Sequence, residues 1–157
     1  MYYAADGLGA RRLDSPAAEH RRDRSAHQLP AEDAPPRPFT VVASRSHLSP
    51  ETEVYVKELQ SHHGDMAIVS AGSSIKFCLV AEGRADVYPR FAPTMEWDTA
   101  AGHAIVREAG GTVVRSTDRT EMIYNKKDLL NPWFIASRPT VPLVPVPVGA
   151  GPGKGRP

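Results

Sequence analysis

The chain has 157 residues, enough for one domain and little more. Hydrophobic residues make up 41% and charged residues 24%, and 19 basic against 18 acidic side chains leave a formal charge of +1. Such a balance gives no global basic field for nucleic acid, and no run of about 18 apolar residues offers a transmembrane helix. The opening Met1-Tyr2-Tyr3-Ala4-Ala5-Asp6 lacks the basic-then-apolar order of a signal peptide, and a lone Cys78 fits a reducing cytoplasm. The unusual number is 15 prolines, ten of which fall in 30–38 and 139–157. That distribution divides the chain into 1–38, a hairpin remnant and a polar Pro/Arg-rich loop, then 39–137, a foldable α/β domain, then 138–157, a Pro/Val/Gly tail predicted to be disordered.

In chain order, Tyr2-Tyr3-Ala4-Ala5 reads as a strand end and Asp6-Gly7 as a hairpin turn. Residues 11–38 read as a solvated loop. A phosphate or nucleic-acid patch at Arg11-Arg12 and Arg21-Arg22-Asp23-Arg24 lacks the interleaved aromatics that would support it. Phe39–Ala43 is a β-branched strand. Ser49-Pro50-Glu51 supplies a cap, a first-position proline and a first-turn acid for a helix over 50–61. Met66–Val69 is the next strand. Gly72-Ser73-Ser74 precedes a helix over 74–83, apolar nearly all round and so buried, closed by Gly83. Asp86-Val87-Tyr88 is a strand stopped by Pro89. A helix over 97–109 carries Ala101, Ala104, Ile105 and Glu108 on one stripe, with Gly102 allowing close approach, and Gly110-Gly111 ends it. Thr112–Val114 and Trp133–Ala136 are the last strands. The alternation predicts a layered α/β domain without internal repeats. The Pro-x-x-Pro spacing at Pro139, Pro142 and Pro145 matches polyproline readers only at chance level.

Asp98 sits before a small-residue helix, where a carboxylate either caps the helix or holds Mg²⁺ beside a phosphate. Lys76 interrupts an apolar helix three residues after Ser73. It either snorkels to water or pairs with that hydroxyl to face a phosphate. Arg90, after a strand, suits an anion or an internal carboxylate. His47 lies in a strand-to-helix loop, where ligand residues concentrate. His62-His63 reads as surface, and Cys78, mid-helix in an apolar run, as inert. Neither a phosphate loop of Walker type nor a zinc-spaced Cys/His set occurs.

Trp97-Asp98-Thr99-Ala100-Ala101-Gly102, followed by Glu108-Ala109-Gly110-Gly111, resembles the C-terminal signature of the inositol-monophosphatase superfamily. Ser44–His47, Gly72–Cys78, Ala85–Arg90 and Tyr124-Asn125-Lys126 through Asn131-Pro132-Trp133 are most similar to its bacterial 3'(2'),5'-bisphosphate nucleotidases of the CysQ type. The likeness covers residues 1–10 and 39–137. It implies the C-terminal half of a layered sugar-phosphatase fold. The implied activity is Mg²⁺-dependent, lithium-sensitive hydrolysis of adenosine 3',5'-bisphosphate to AMP and phosphate, clearing a by-product of sulfate assimilation. It also implies a cytoplasmic location, or peripheral attachment at the inner membrane, a small nucleotide bisphosphate as partner, and self-association. By resemblance Asp98 is a metal ligand that also meets substrate, and His47, Ser73, Lys76 and Arg90 contact the nucleotide. The family's Glu-containing segment and its Asp-Pro-x-Asp-Gly-Thr motif do not occur here, so the water-activating residues are unassigned and the chain is expected to be inactive alone. Alternatives are an inositol or fructose-bisphosphate phosphatase of the same superfamily, or a non-catalytic module that binds nucleotide or an intact paralogue.

Overall fold

The computed structural model describes residues 1–14, 26–30, 37–44 and 49–146. Three short strands, β1 (Tyr2–Ala5), β2 (Gly9–Leu13) and β3 (Ala26–Leu29), form an antiparallel sheet in that order. The Asp6-Gly7 hairpin is present, with Gly7 at φ +69°, a conformation a side chain disfavours. The expected loop over 11–38 is corrected here. β2 runs on to Leu13, and β3 pairs with it from Ala10↔Leu29 to Leu13↔Ala26.

The second sheet has five strands, β4 (Phe39–Ala43), β5 (Met66–Ser70), β6 (Val87–Arg90), β7 (Thr112–Arg115) and β8 (Phe134–Ser137), in the order β5-β4-β6-β8-β7. β4 is parallel to both neighbours, and β8 is antiparallel to β6 and β7. Alternation along these strands sends Val41, Val87 and Ile135 to one face and Val42, Tyr88 and Phe134 to the other. Helix α1 (Pro50–His63) covers the first face with Tyr55, Val56 and Leu59, and Ser49 Oγ accepts from the Thr52 amide at its N-terminus. Helices α2 (Ile75–Ala81) and α3 (Glu96–Glu108) cover the second face. Ala10 and Leu29 of the small sheet close the same core from beyond α3, giving four layers.

Five further expectations are revised. β6 continues through Pro89 to Arg90, because β4 pairs with β6 only at Val41↔Val87 and the missing N–H breaks no ladder on that side. α2 is shorter than expected and not buried all round, since Ile75 is 47% exposed. The buried face of α3 is Glu96, Thr99, Gly102, His103 and Val106 rather than the Ala101/Ala104/Ile105/Glu108 stripe. Two polar members are buried because they are paired. Glu96 accepts from the Asn125 and Lys126 amides, and His103 Nδ1 lies 2.9 Å from Tyr124 Oη. The tail is packed over 138–146. Arg138 pairs with buried Asp86, Arg119 donates to the Val144 carbonyl, and Val144 is 5% exposed. His63 stacks on Phe39 at 3.8 Å rather than standing free.

Candidate anion-binding site

A cavity of about 320 Å³ opens where the C-terminal ends of β4 and β6 meet the first turns of α2 and α3. Parallel strands leave their ligand crevices at this end, beside helix N-termini. Ser73, Lys76, Arg90 and Asp98 all line it, together with Thr94 and Tyr88. Of the five residues singled out in sequence, His47 lies outside the described residues.

Lys76 does not snorkel. It is 4% exposed, its ammonium donates to the Ala71 carbonyl at 3.1 Å, and it stands 5.3 Å from the centre of the Tyr88 ring. Burial, and then the Arg90 charge, push its pKa below the ordinary lysine value. Arg90 donates to the Pro93 carbonyl at 3.2 Å, while its Nε is buried without a hydrogen-bond partner. Neither side chain forms an ion pair among the described residues. Lys76 is buried and Arg90 half-buried, and an anion between two such unpaired neighbouring cations would relieve their repulsion. Ser73 stands at the mouth with φ +48°, a left-handed conformation uncommon outside glycine.

Asp98 is exposed, and its Oδ2 accepts from the Met95 amide at 2.8 Å, the second half of a capping box at the start of α3. Magnesium wants about six oxygens in octahedral array. Among the described residues no three His, Cys, Asp or Glu side chains converge on one point, and the one carboxylate lining the cavity is engaged by a backbone amide. These residues do not fit a catalytic Mg²⁺ centre. Cys78 is buried and its thiol is pushed up to about 11, chiefly by burial, so it is not a nucleophile at neutral pH. No helix among the described residues is long and apolar enough to cross a membrane.

Sequence reasoning missed Thr94 and Tyr88 as cavity residues. Tyr88 stood in the strand and within the Ala85–Arg90 segment of the family resemblance, without a ligand role of its own. Thr94 precedes the Trp-Asp pair by three residues and carried none of its own.

Comparison with known proteins identifies the class. The inositol monophosphatase family model matches residues 1–142, and the chain belongs to that family. A 3'(2'),5'-bisphosphate nucleotidase, CysQ, from Salmonella typhimurium strain LT2 is 43% identical over 134 residues, covering 85% of this chain and 48% of that protein. The Escherichia coli K12 protein of the same name is 46% identical over 110 residues, covering 70% and 42%. The crystal structure of CysQ from Bacteroides thetaiotaomicron superposes with a TM-score of 0.80 at 51% identity, covering 87% of this chain and 53% of that one. The chain thus spans about half the length of the relatives it matches.

Proposed function

We propose that this chain provides the nucleotide-holding half of a 3'(2'),5'-bisphosphate nucleotidase site and binds adenosine 3',5'-bisphosphate in the β4/β6 cavity. The observation that carries this reading is buried Lys76 beside half-buried Arg90, neither of them ion-paired among the described residues, with the Arg90 Nε buried and unpaired. A phosphate between them supplies the missing counter-charge, and a guanidinium offers a fork that matches phosphate oxygens. Ser73 adds a hydroxyl at the mouth, and the Tyr88 ring supports the lysine from behind. Likeness to two bacterial 3'(2'),5'-bisphosphate nucleotidases favours nucleotide over inositol or fructose bisphosphate as the ligand.

Hydrolysis needs an activated water and charge neutralisation at the leaving oxygen. The described residues contain neither a carboxylate cluster nor a poised base at the cavity. Binding without turnover is the activity of the chain by itself, and the family reaction belongs to a longer assembly. Isothermal titration of the 157-residue chain with adenosine 3',5'-bisphosphate, paired with a phosphate-release assay in millimolar Mg²⁺, tests both statements. Saturable binding with no release is the expected result. Absence of binding overturns the first statement, and steady release abolished by Asp98→Asn overturns the second.

A further inference from the structure

Residues 93–95 connect the cavity wall to its rim, and one side chain outside the cavity holds them. Asn131 is 5% exposed. Its amide nitrogen donates to the Met95 carbonyl at 2.7 Å, to Thr94 Oγ1 at 3.2 Å and to Thr99 Oγ1 at 3.0 Å, and its backbone N–H donates to the Thr94 carbonyl at 2.8 Å. Around it, Met95 bridges to Leu130, and the Glu96 N–H donates to the Leu129 carbonyl at 3.0 Å. The clamped segment in turn holds the site. The Pro93 carbonyl accepts from Arg90, the Met95 N–H is the donor to Asp98, and Thr94 itself lines the cavity. Asn131 Oδ1 is buried with no partner. Three of the four polar contacts that Asn131 makes fall on residues 94 and 95. The two amide hydrogens are shared among three acceptors, Thr94 Oγ1 being the longest contact, and none of these bonds uses the Thr94 hydroxyl hydrogen, which can donate toward the cavity that Thr94 lines. Thr99, by contrast, gives its hydrogen to the Glu96 carbonyl at 3.2 Å.

We infer that Asn131 is a positioning residue that sets the Thr94 hydroxyl and the Pro93–Met95 turn against the cavity, and that Thr94 donates to the anion held by Lys76 and Arg90. The inference rests on the nucleotide-binding reading above and adds a donor and its support to it. It explains why an amide, and not a carboxylate, stands at 131. The Met95 carbonyl needs a donor, and a carboxylate has none.

The test uses the full chain and four variants. Thr94→Val keeps the shape and removes the O–H, whereas Thr94→Ser keeps the O–H. A hydrogen bond to a charged group is worth about tenfold or more in affinity. Titration with adenosine 3',5'-bisphosphate is therefore expected to show about a tenfold loss for Thr94→Val and recovery to within about twofold for Thr94→Ser. Asn131→Ala and Asn131→Asp are each expected to lose about tenfold at a temperature well below their own Tm. Lower Tm with unchanged affinity makes Asn131 merely structural and overturns the inference, as does a Thr94→Val that binds like the parent. If the parent chain binds neither the bisphosphate nor inorganic phosphate, the functional reading fails, and positioning is then read separately by amide exchange. The Met95 amide should lose protection in Asn131→Ala while that of Val106, in the body of α3, keeps it. Equal protection of Met95 in parent and variant overturns the positioning role.

Discussion

Lys76 and Arg90 on one wall of the cavity and Asp98 at its rim carry opposite charges and are held in different ways. Lys76 is buried, Arg90 beside it is half-buried, and neither forms an ion pair among the described residues, which suits the proposed anion. The aspartate is exposed and already satisfied, its oxygen engaged by the Met95 amide. One wall offers cations to the proposed anion, and the rim carboxylate caps a helix. Among the described residues no carboxylate cluster that could form a metal centre accompanies them. Recognition uses groups from contiguous layers, whereas a metal cage needs several carboxylates to converge.

Lys76→Met should separate the two walls most sharply. Loss of a charge-assisted contact to phosphate lowers affinity for adenosine 3',5'-bisphosphate by about ten- to a hundredfold. The same change replaces a buried cation by an apolar chain of similar length, so the Tm of the ligand-free protein should rise. Calorimetry and a thermal melt read both, and a variant that is destabilised as well as unable to bind would show Lys76 to be a structural group.

Gly102→Ala comes next. An added Cβ would stand 2.5 Å from the Phe77 ring, and Phe77 lines the cavity while Gly102 lies on α3, which carries Asp98. Overpacking here should lower stability by about 1–3 kcal/mol in urea titration and weaken ligand binding as well, since wall and rim are wedged apart. A loss of stability with no loss of affinity would show that the two walls are independent.

The pH dependence sharpens the contrast further. Lys76 is held below the ordinary lysine value of about 10.4 by burial and Arg90, so between its lowered value and that figure the unfolded chain binds more protons than the folded one. Ligand-free stability from this group should rise with pH across that window. Ligand affinity should fall across it, because the bound anion needs the ammonium. Parallel slopes would contradict the assignment, and Lys76→Met should abolish this contribution to both.

The smallest effects belong to the rim. Asp98→Asn retains an acceptor for the Met95 amide, so affinity should stay within about twofold and stability within about 1 kcal/mol. Millimolar Mg²⁺ should leave Tm and affinity unchanged. A Tm raised by several degrees would mean that carboxylates do gather at the rim, and the contrast with the opposite wall would collapse.

Much of the fold was legible because local signals and packing agreed. Ser49-Pro50-Glu51 started α1 where a cap, a fixed φ and a first-turn acid belong. The β-branched runs became β4 and β7, and Gly102 did meet a neighbour at close range. β3 was not legible, since Ala26-His27-Gln28-Leu29 has no strand preference of its own and owes its conformation to β2. Nor was the buried face of α3, because Glu96 and His103 look like surface residues until Asn125, Lys126 and Tyr124 are placed beside them. Val144 was read as tail because its burial depends on apolar residues far along the chain, Val41, Tyr55 and Leu59 among them.

The sequence by itself determined the family, the strand–helix alternation and the residue types able to meet a phosphate, since these follow from local motifs and periodicity. Only the tertiary structure decided that Ser73, Lys76, Arg90 and Asp98 share one cavity, that the lysine is buried without an ion-pair partner while the exposed aspartate caps a helix, and that Asn131 reaches across to Thr94 and Met95. Burial and pairing are set by whatever packs against a residue, and at these positions the packing partners lie tens of residues away along the chain.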